Sequence, residues 1–145
     1  MAKYDKSDII RMARELRETF QSRDPFALAE IMGFPVSFMK INPRVVKANT
    51  YRYDSKPSIM INDHFDIPAK TVLCAHELGH ALLHNDVINH YDVTAKNMKT
   101  SVEYEANLFA VSLLFDDDDF IIPIESMSGY VLKLILDYNI SFLFN

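Results

Sequence analysis

Tryptophan is absent from these 145 residues, while glycine occurs 3 times, proline 6 times and cysteine once. So little glycine and proline excludes collagen-like and low-complexity chains, and no segment recurs at the spacing of a solenoid or propeller. The single thiol, Cys74, rules out an intramolecular disulfide framework and fits a reducing compartment. No apolar run approaches the roughly 18 residues that a membrane span requires. The opening stretch MAKYDKSDIIRMAREL also lacks the apolar centre of a secretory signal. Together these absences predict a cytoplasmic protein with no membrane segment.

What the chain does have is the balance of a globular domain: 49% hydrophobic and 24% charged residues, with 10 Phe and 7 Tyr to fill a core. Its length fits a single domain over residues 1–145. The formal charge of −5 is unevenly spread, since residues 1–56 hold 11 of the 15 bases and 7 of the 20 acids. An acidic whole argues against direct nucleic-acid binding, which depends on several phosphate-neutralising bases. The bases on the first helix read as a solvated face, and the run Asp116–Asp119 as a solvated helix end.

The periodicity predicts helices first. Ile9, Met12, Ala13, Leu16 and Phe20 recur at three- and four-residue steps within residues 5–22. Asp24-Pro25 has the cap-then-proline signature of a second helix that runs to Gly33. Val36, Phe38 and Ile41 then suggest a strand that Asn42-Pro43 interrupts. Residues 48–53 and 58–61 suggest a hairpin turning at Asp54-Ser55-Lys56-Pro57. Helices are expected again over 68–83, 100–115 and 125–138, joined by a polar connection over 85–99. This order predicts an α+β fold, with helices around a short antiparallel sheet. The helix over 68–83 is apolar on nearly every side, so it is expected to be buried.

That buried helix carries His76-Glu77-Leu78-Gly79-His80, an HExxH sequence. Two histidines four residues apart project from one helix face about 6 Å apart along the axis, and can converge on one tetrahedral Zn²⁺. Glu77 is turned about 100° from His76, which suits a general base holding a water better than a ligand. Ionisable groups on an otherwise apolar helix are costly to bury without such a partner. A catalytic zinc needs a third protein ligand. His84 stands about 12 Å from His76 along the helix and cannot share an ion with it and His80; it reads as a helix-end residue or a support to the ligands. On the next helix, Glu103 and Glu105 are about 200° apart, so only one can face the metal. The Glu103 stripe continues through Ala106, Asn107, Ala110, Val111 and Leu114, whereas the Glu105 stripe holds Ser101, Leu108, Ser112 and Asp116, a more solvated set. Glu103 is therefore expected as the third ligand, with Asn107 orienting an imidazole from behind. For a second donor to a developing oxyanion, His84, His90, Tyr91 and Tyr104 are all chemically available.

At this level of detail, CAHELGHALLH followed by EYEANLFAVSLL resembles the ImmA/IrrE family of zinc metallo-endopeptidases. DPFALAEIMGFPV and SIMIN are similar to the lead-in segments of that family. The resemblance covers residues 9–115 and implies a small zincin-like fold with His76, His80 and Glu103 as zinc ligands and Glu77 as general base. It also implies a protein substrate of the helix-turn-helix repressor class. One departure is visible: members often have Met-Pro after the Leu-Leu of the second motif, where this chain has Phe115 and four aspartates. Two other readings compete. One is a zincin scaffold that binds a partner without cleaving it, as an antitoxin or adaptor does. The other is a DNA-binding regulator, because residues 28–34 look like the first half of a helix-turn-helix.

Overall fold

A computed structural model of the chain describes residues 4–84 and 96–141. The first two helices begin where side-chain caps allow. Asp5 accepts from the Asp8 amide at 2.9 Å while the Asp8 carboxylate accepts from the Asp5 amide, a reciprocal box that opens α1 (Lys6–Thr19). Asp24 caps α2 (Pro25–Met32) by accepting from the Phe26 amide. Gly33 ends it with φ of 80°, in the left-handed region that glycine enters without a steric cost. The residues after Gly33 enter a strand, so no recognition helix follows and the helix-turn-helix reading falls.

Three strands follow: β1 (Val36–Met39), β2 (Ala48–Tyr53) and β3 (Lys56–Asn62), in the spatial order β1-β3-β2. The sheet is mixed where an antiparallel one was expected. β2 and β3 form the antiparallel hairpin, but β1 pairs parallel to β3, because residues 40–47 carry the chain across to the opposite edge of β3. Asn62, fully buried, pins that crossing by donating to the carbonyls of Ile41 (2.7 Å) and Val46 (2.8 Å). The hairpin turn is tighter than the sequence suggested. Asp54 and Ser55, at φ of 52° and 66°, form it alone, and Lys56-Pro57 already belong to β3.

The buried helix is α3 (Ile67–Leu83), capped by Asp66, whose carboxylate accepts from the Ala69 amide. It packs on β3 and β2 on one side and on α4 (Lys96–Leu114) on the other, with α5 (Gly129–Ser141) closing over both. Short 3-10 turns at Asp117–Asp119 and Ile124–Ser126 join α4 to α5. The last helix starts four residues later than its apolar pattern implied, because Ser128 accepts from the Val131 amide and acts as its cap. Ile9, Leu28, Leu78, Leu108, Phe109 and Leu113 make up much of the fully buried centre. Cys74 lies in it, and burial, with the charges of Asp24 and Glu77, pushes its thiol well above the ordinary range. It is a small core side chain.

The uneven charge resolves into a contact. Arg17 and Arg23 pair with Asp116 (3.0 and 2.8 Å), and Arg14 pairs with Asp117 (3.1 Å). Arg17 also donates to the carbonyls of Ser112, Leu113 and Phe115, and Arg23 to that of Leu114, at the end of α4 where orphan acceptors gather. The acidic run is thus a docking point for α1 in place of the bare solvated end that the sequence suggested. Arg23 and Arg17 hold the Asp116 carboxyl below the usual range, and the Ile124 amide, with Arg14 as the lesser cause, does the same for Asp117.

Candidate metal centre

Helical spacing brings His76 and His80 onto one face of α3, where their Nε2 atoms stand 3.0 Å apart. Glu103, on α4, places one carboxylate oxygen 3.1 Å from His76 Nε2 and the other 3.3 Å from His80 Nε2. Around a tetrahedral ion with bonds of about 2.0–2.1 Å, ligand atoms sit about 3.3–3.4 Å apart, so these separations suit one. The three residues form a cluster that can hold a metal ion. Two imidazoles and a carboxylate are a donor set that zinc accepts. The electrostatics point the same way. Burial opposes charge on His76, but its hydrogen bond to Glu103 and the charges of Glu77 and Glu103 raise its proton affinity above the ordinary value. Against its own burial, the Glu103 carboxyl is drawn well below the carboxylate range by the two imidazoles. The pocket between these side chains favours a positive charge.

Glu77 is buried and stands apart from the His76–His80–Glu103 cluster, with Oε2 3.9 Å from His76 Nε2. Its other oxygen accepts from the Thr50 hydroxyl at 2.7 Å, and the same hydroxyl lies 3.1 Å from the Glu77 carbonyl. Thr50, on β2, thereby holds one oxygen of the carboxylate and leaves Oε2 on the side of His76. Nothing in the linear pattern marks Thr50, because the contact needs the β2–α3 packing. Asn107 is buried on the wall of the same cleft, close enough to His76 to add to its proton affinity.

The inward and outward stripes of α4 need correction. Glu105, read from the sequence as solvated, is 7% exposed and places Oε1 2.8 Å from His84 Nε2. His84 caps the C-terminus of α3, and its Nδ1 faces His80 Nδ1 at 3.1 Å. Stripe composition failed here because Glu105 borrows its partner from the end of α3, three-dimensionally adjacent but 21 residues away. Burial pushes the His84 imidazole below its ordinary value, against the pull of Glu105. With both ring nitrogens committed inside the protein, His84 is not the oxyanion donor. Tyr104 is not in the cleft lining either: its ring packs at 3.2 Å against the position that a Gly129 Cβ would take, beneath the Lys6 ammonium. His90 and Tyr91 lie outside the described residues.

Gly79 also has a role that the motif did not reveal. A Cβ placed there would meet Phe109 Cβ and Cδ1 at 3.2 Å and Ala106 Cα at 3.3 Å. The missing side chain lets α4 approach α3 closely enough for Glu103 to reach both histidines. An interior helical glycine, which costs about 1 kcal/mol relative to alanine, was the available signal. Gly79→Val is expected to destabilise the fold by about 2–3 kcal/mol through overpacking against backbone. Thermal unfolding checks this, and a wild-type melting temperature would contradict the close approach.

Comparison with known proteins places this arrangement. The profile of Peptidase_M78, described as the IrrE N-terminal-like domain, matches residues 29–144. An "Uncharacterized immunity region protein 2" of Bacillus phage phi105 is 29% identical over 106 residues, covering 72% of this chain and 66% of that protein. The chain thus spans slightly less than two-thirds of that relative's length. No solved structure gives a significant match. Among the described residues, no helix is long and apolar enough to cross a membrane. Since the matched profile runs through the sheet, the HExxH helix and the glutamate-bearing helix that meets it, the chain belongs to the Peptidase_M78 family of IrrE N-terminal-like domains.

Proposed function

We propose that the protein is a zinc-dependent endopeptidase, and that His76, His80 and Glu103 hold the metal. The observation that carries this reading is the convergence of those three side chains beside a separately anchored, buried Glu77. When bound, zinc supplies Lewis-acid chemistry, polarising a scissile carbonyl and lowering the pKa of a water. Glu77 takes the proton from that water through Oε2, while Thr50 keeps the carboxylate from swinging away, and Glu77 returns the proton to the departing amine. Asn107, on the wall of the same cleft, is the polar side chain assigned to orient His76.

A cleft of about 280 Å³ opens beside these residues, with Val72, Leu73, Leu136 and Ile140 on its walls and Lys47 and Lys133 among its other lining residues. That combination suits an extended peptide with an apolar side chain next to the scissile bond. Among the described residues β2 is an edge of the sheet, and it contributes Thr50 to the site, so that edge suits pairing with such a peptide. The family resemblance and the phage immunity-region relative support a helix-turn-helix repressor as the substrate. Incubating the purified protein with the repressor encoded beside it should yield two fragments, none with chelator present, and both again after zinc is restored. A repressor left whole under all three conditions would contradict the proposal.

A further inference from the structure

Behind the zinc-facing side of His80 lies a second, buried pair that the proposed reaction does not use. His84 is 5% exposed and Glu105 is 7% exposed. They form a chain of two contacts, His80 Nδ1 to His84 Nδ1 at 3.1 Å and His84 Nε2 to Glu105 Oε1 at 2.8 Å. The direction of this chain follows from donor and acceptor counting. An ionised carboxylate can only accept, so His84 must carry its proton on Nε2. A neutral imidazole has one N–H, which leaves the His84 Nδ1 lone pair facing His80. That lone pair requires His80 to donate from its own Nδ1, which leaves the lone pair of His80 on Nε2, the nitrogen that stands beside His76 and Glu103. We propose that Glu105, acting through His84, is a positioning device that locks His80 in the tautomer able to bind a metal.

This inference rests on the reading of His76, His80 and Glu103 as the metal site. It goes beyond that reading by assigning work to a second glutamate that never approaches the ion. The opposite polarity has a clear consequence: a His84 that donated from Nδ1 would force the His80 proton onto Nε2 and block the ligand position. Direct contact between a ligand imidazole and a carboxylate is the simpler way to set a tautomer. Here the imidazole of His84 extends that reach by one ring, from His80 on α3 to Glu105 on α4.

The test combines zinc affinity with imidazole spectroscopy. Competitive chelator titration of Glu105→Gln should show zinc affinity reduced about 10- to 100-fold, the range found when a ligand histidine loses its outer partner. Nitrogen-15 spectra of the imidazoles in the zinc-loaded wild type should show His84 protonated on Nε2 alone, and the Gln variant should show a tautomer mixture. Replacing His84 gives a second reading should Glu105→Gln fold poorly. His84→Gln can accept from His80 and donate to Glu105, and should stay within a few-fold of wild-type affinity. His84→Leu, which fills space but cannot accept, should lose the same 10- to 100-fold. A packing role alone predicts the reverse order. Wild-type affinity in both Glu105→Gln and His84→Leu, or a His84 protonated on Nδ1, would overturn the proposal while leaving the metal site intact. A wild type that takes up no zinc would instead overturn the metal site, and this inference with it.

Discussion

His76→Ala and His80→Ala proteins are expected to purify without zinc, whereas the wild type carries one ion per chain. Each imidazole supplies one of only three protein ligands, and the remaining two donors cannot hold an ion against competing water. The loss should also be visible as stability. A ligand that binds only the folded state stabilises it by about 4 kcal/mol at a thousandfold excess over its dissociation constant. Added zinc should therefore raise the melting temperature of the wild type and leave both variants unmoved. Zinc at full stoichiometry in either variant, by elemental analysis, would sink the assignment of its histidine. The alanine variants should still fold, because His76 and His80 are only partly buried and stand outside the fully buried residues, such as Leu78, that carry the core.

Glu77→Gln separates chemistry from coordination. A glutamine fits the same space, and its carbonyl oxygen can accept from the Thr50 hydroxyl as Glu77 Oε1 does at 2.7 Å. The side chain should therefore stay in place, with fold and zinc content retained. What it loses is the ability to accept a proton, and the removal of a general base costs about 10²- to 10⁴-fold in rate. Cleavage of the proposed repressor substrate by Glu77→Gln should fall by that factor. A variant that cleaves at the wild-type rate would show that the base lies elsewhere. A variant that loses zinc along with activity would show that Glu77 is a ligand.

Much of this was legible in the linear chain, for identifiable reasons. His76 and His80 are four residues apart on one helix, so local geometry alone makes them neighbours. Glu103 does stand beside both histidines, but not as the buried charge that its stripe implied: its side chain is half exposed, and the buried glutamate of the pair is Glu105. The caps at Asp5, Asp24 and Asp66 and the left-handed Gly33 are local chemistry as well. What escaped notice depends on distant packing. Thr50 meets Glu77 only once β2 lies on α3, and Glu105 meets His84 only when α4 passes the end of α3. The parallel pairing of β1 escaped because the route of residues 40–47 across β3 is set by Asn62, whose two backbone contacts no periodicity encodes. The docking of α1 onto the aspartate run was likewise hidden, since the pairing arginines and Asp116 are more than 90 residues apart.

The central claim is that one zinc sits where His76, His80 and Glu103 converge, and crystallographic anomalous scattering measured on both sides of the zinc edge tests it most directly. The account predicts a single strong peak, present only above the edge, within coordination distance of His76 Nε2, His80 Nε2 and a Glu103 oxygen, and beyond bonding distance of Glu105. A peak on His84 and Glu105, or none at the His76–His80–Glu103 cluster in zinc-soaked crystals, would contradict it.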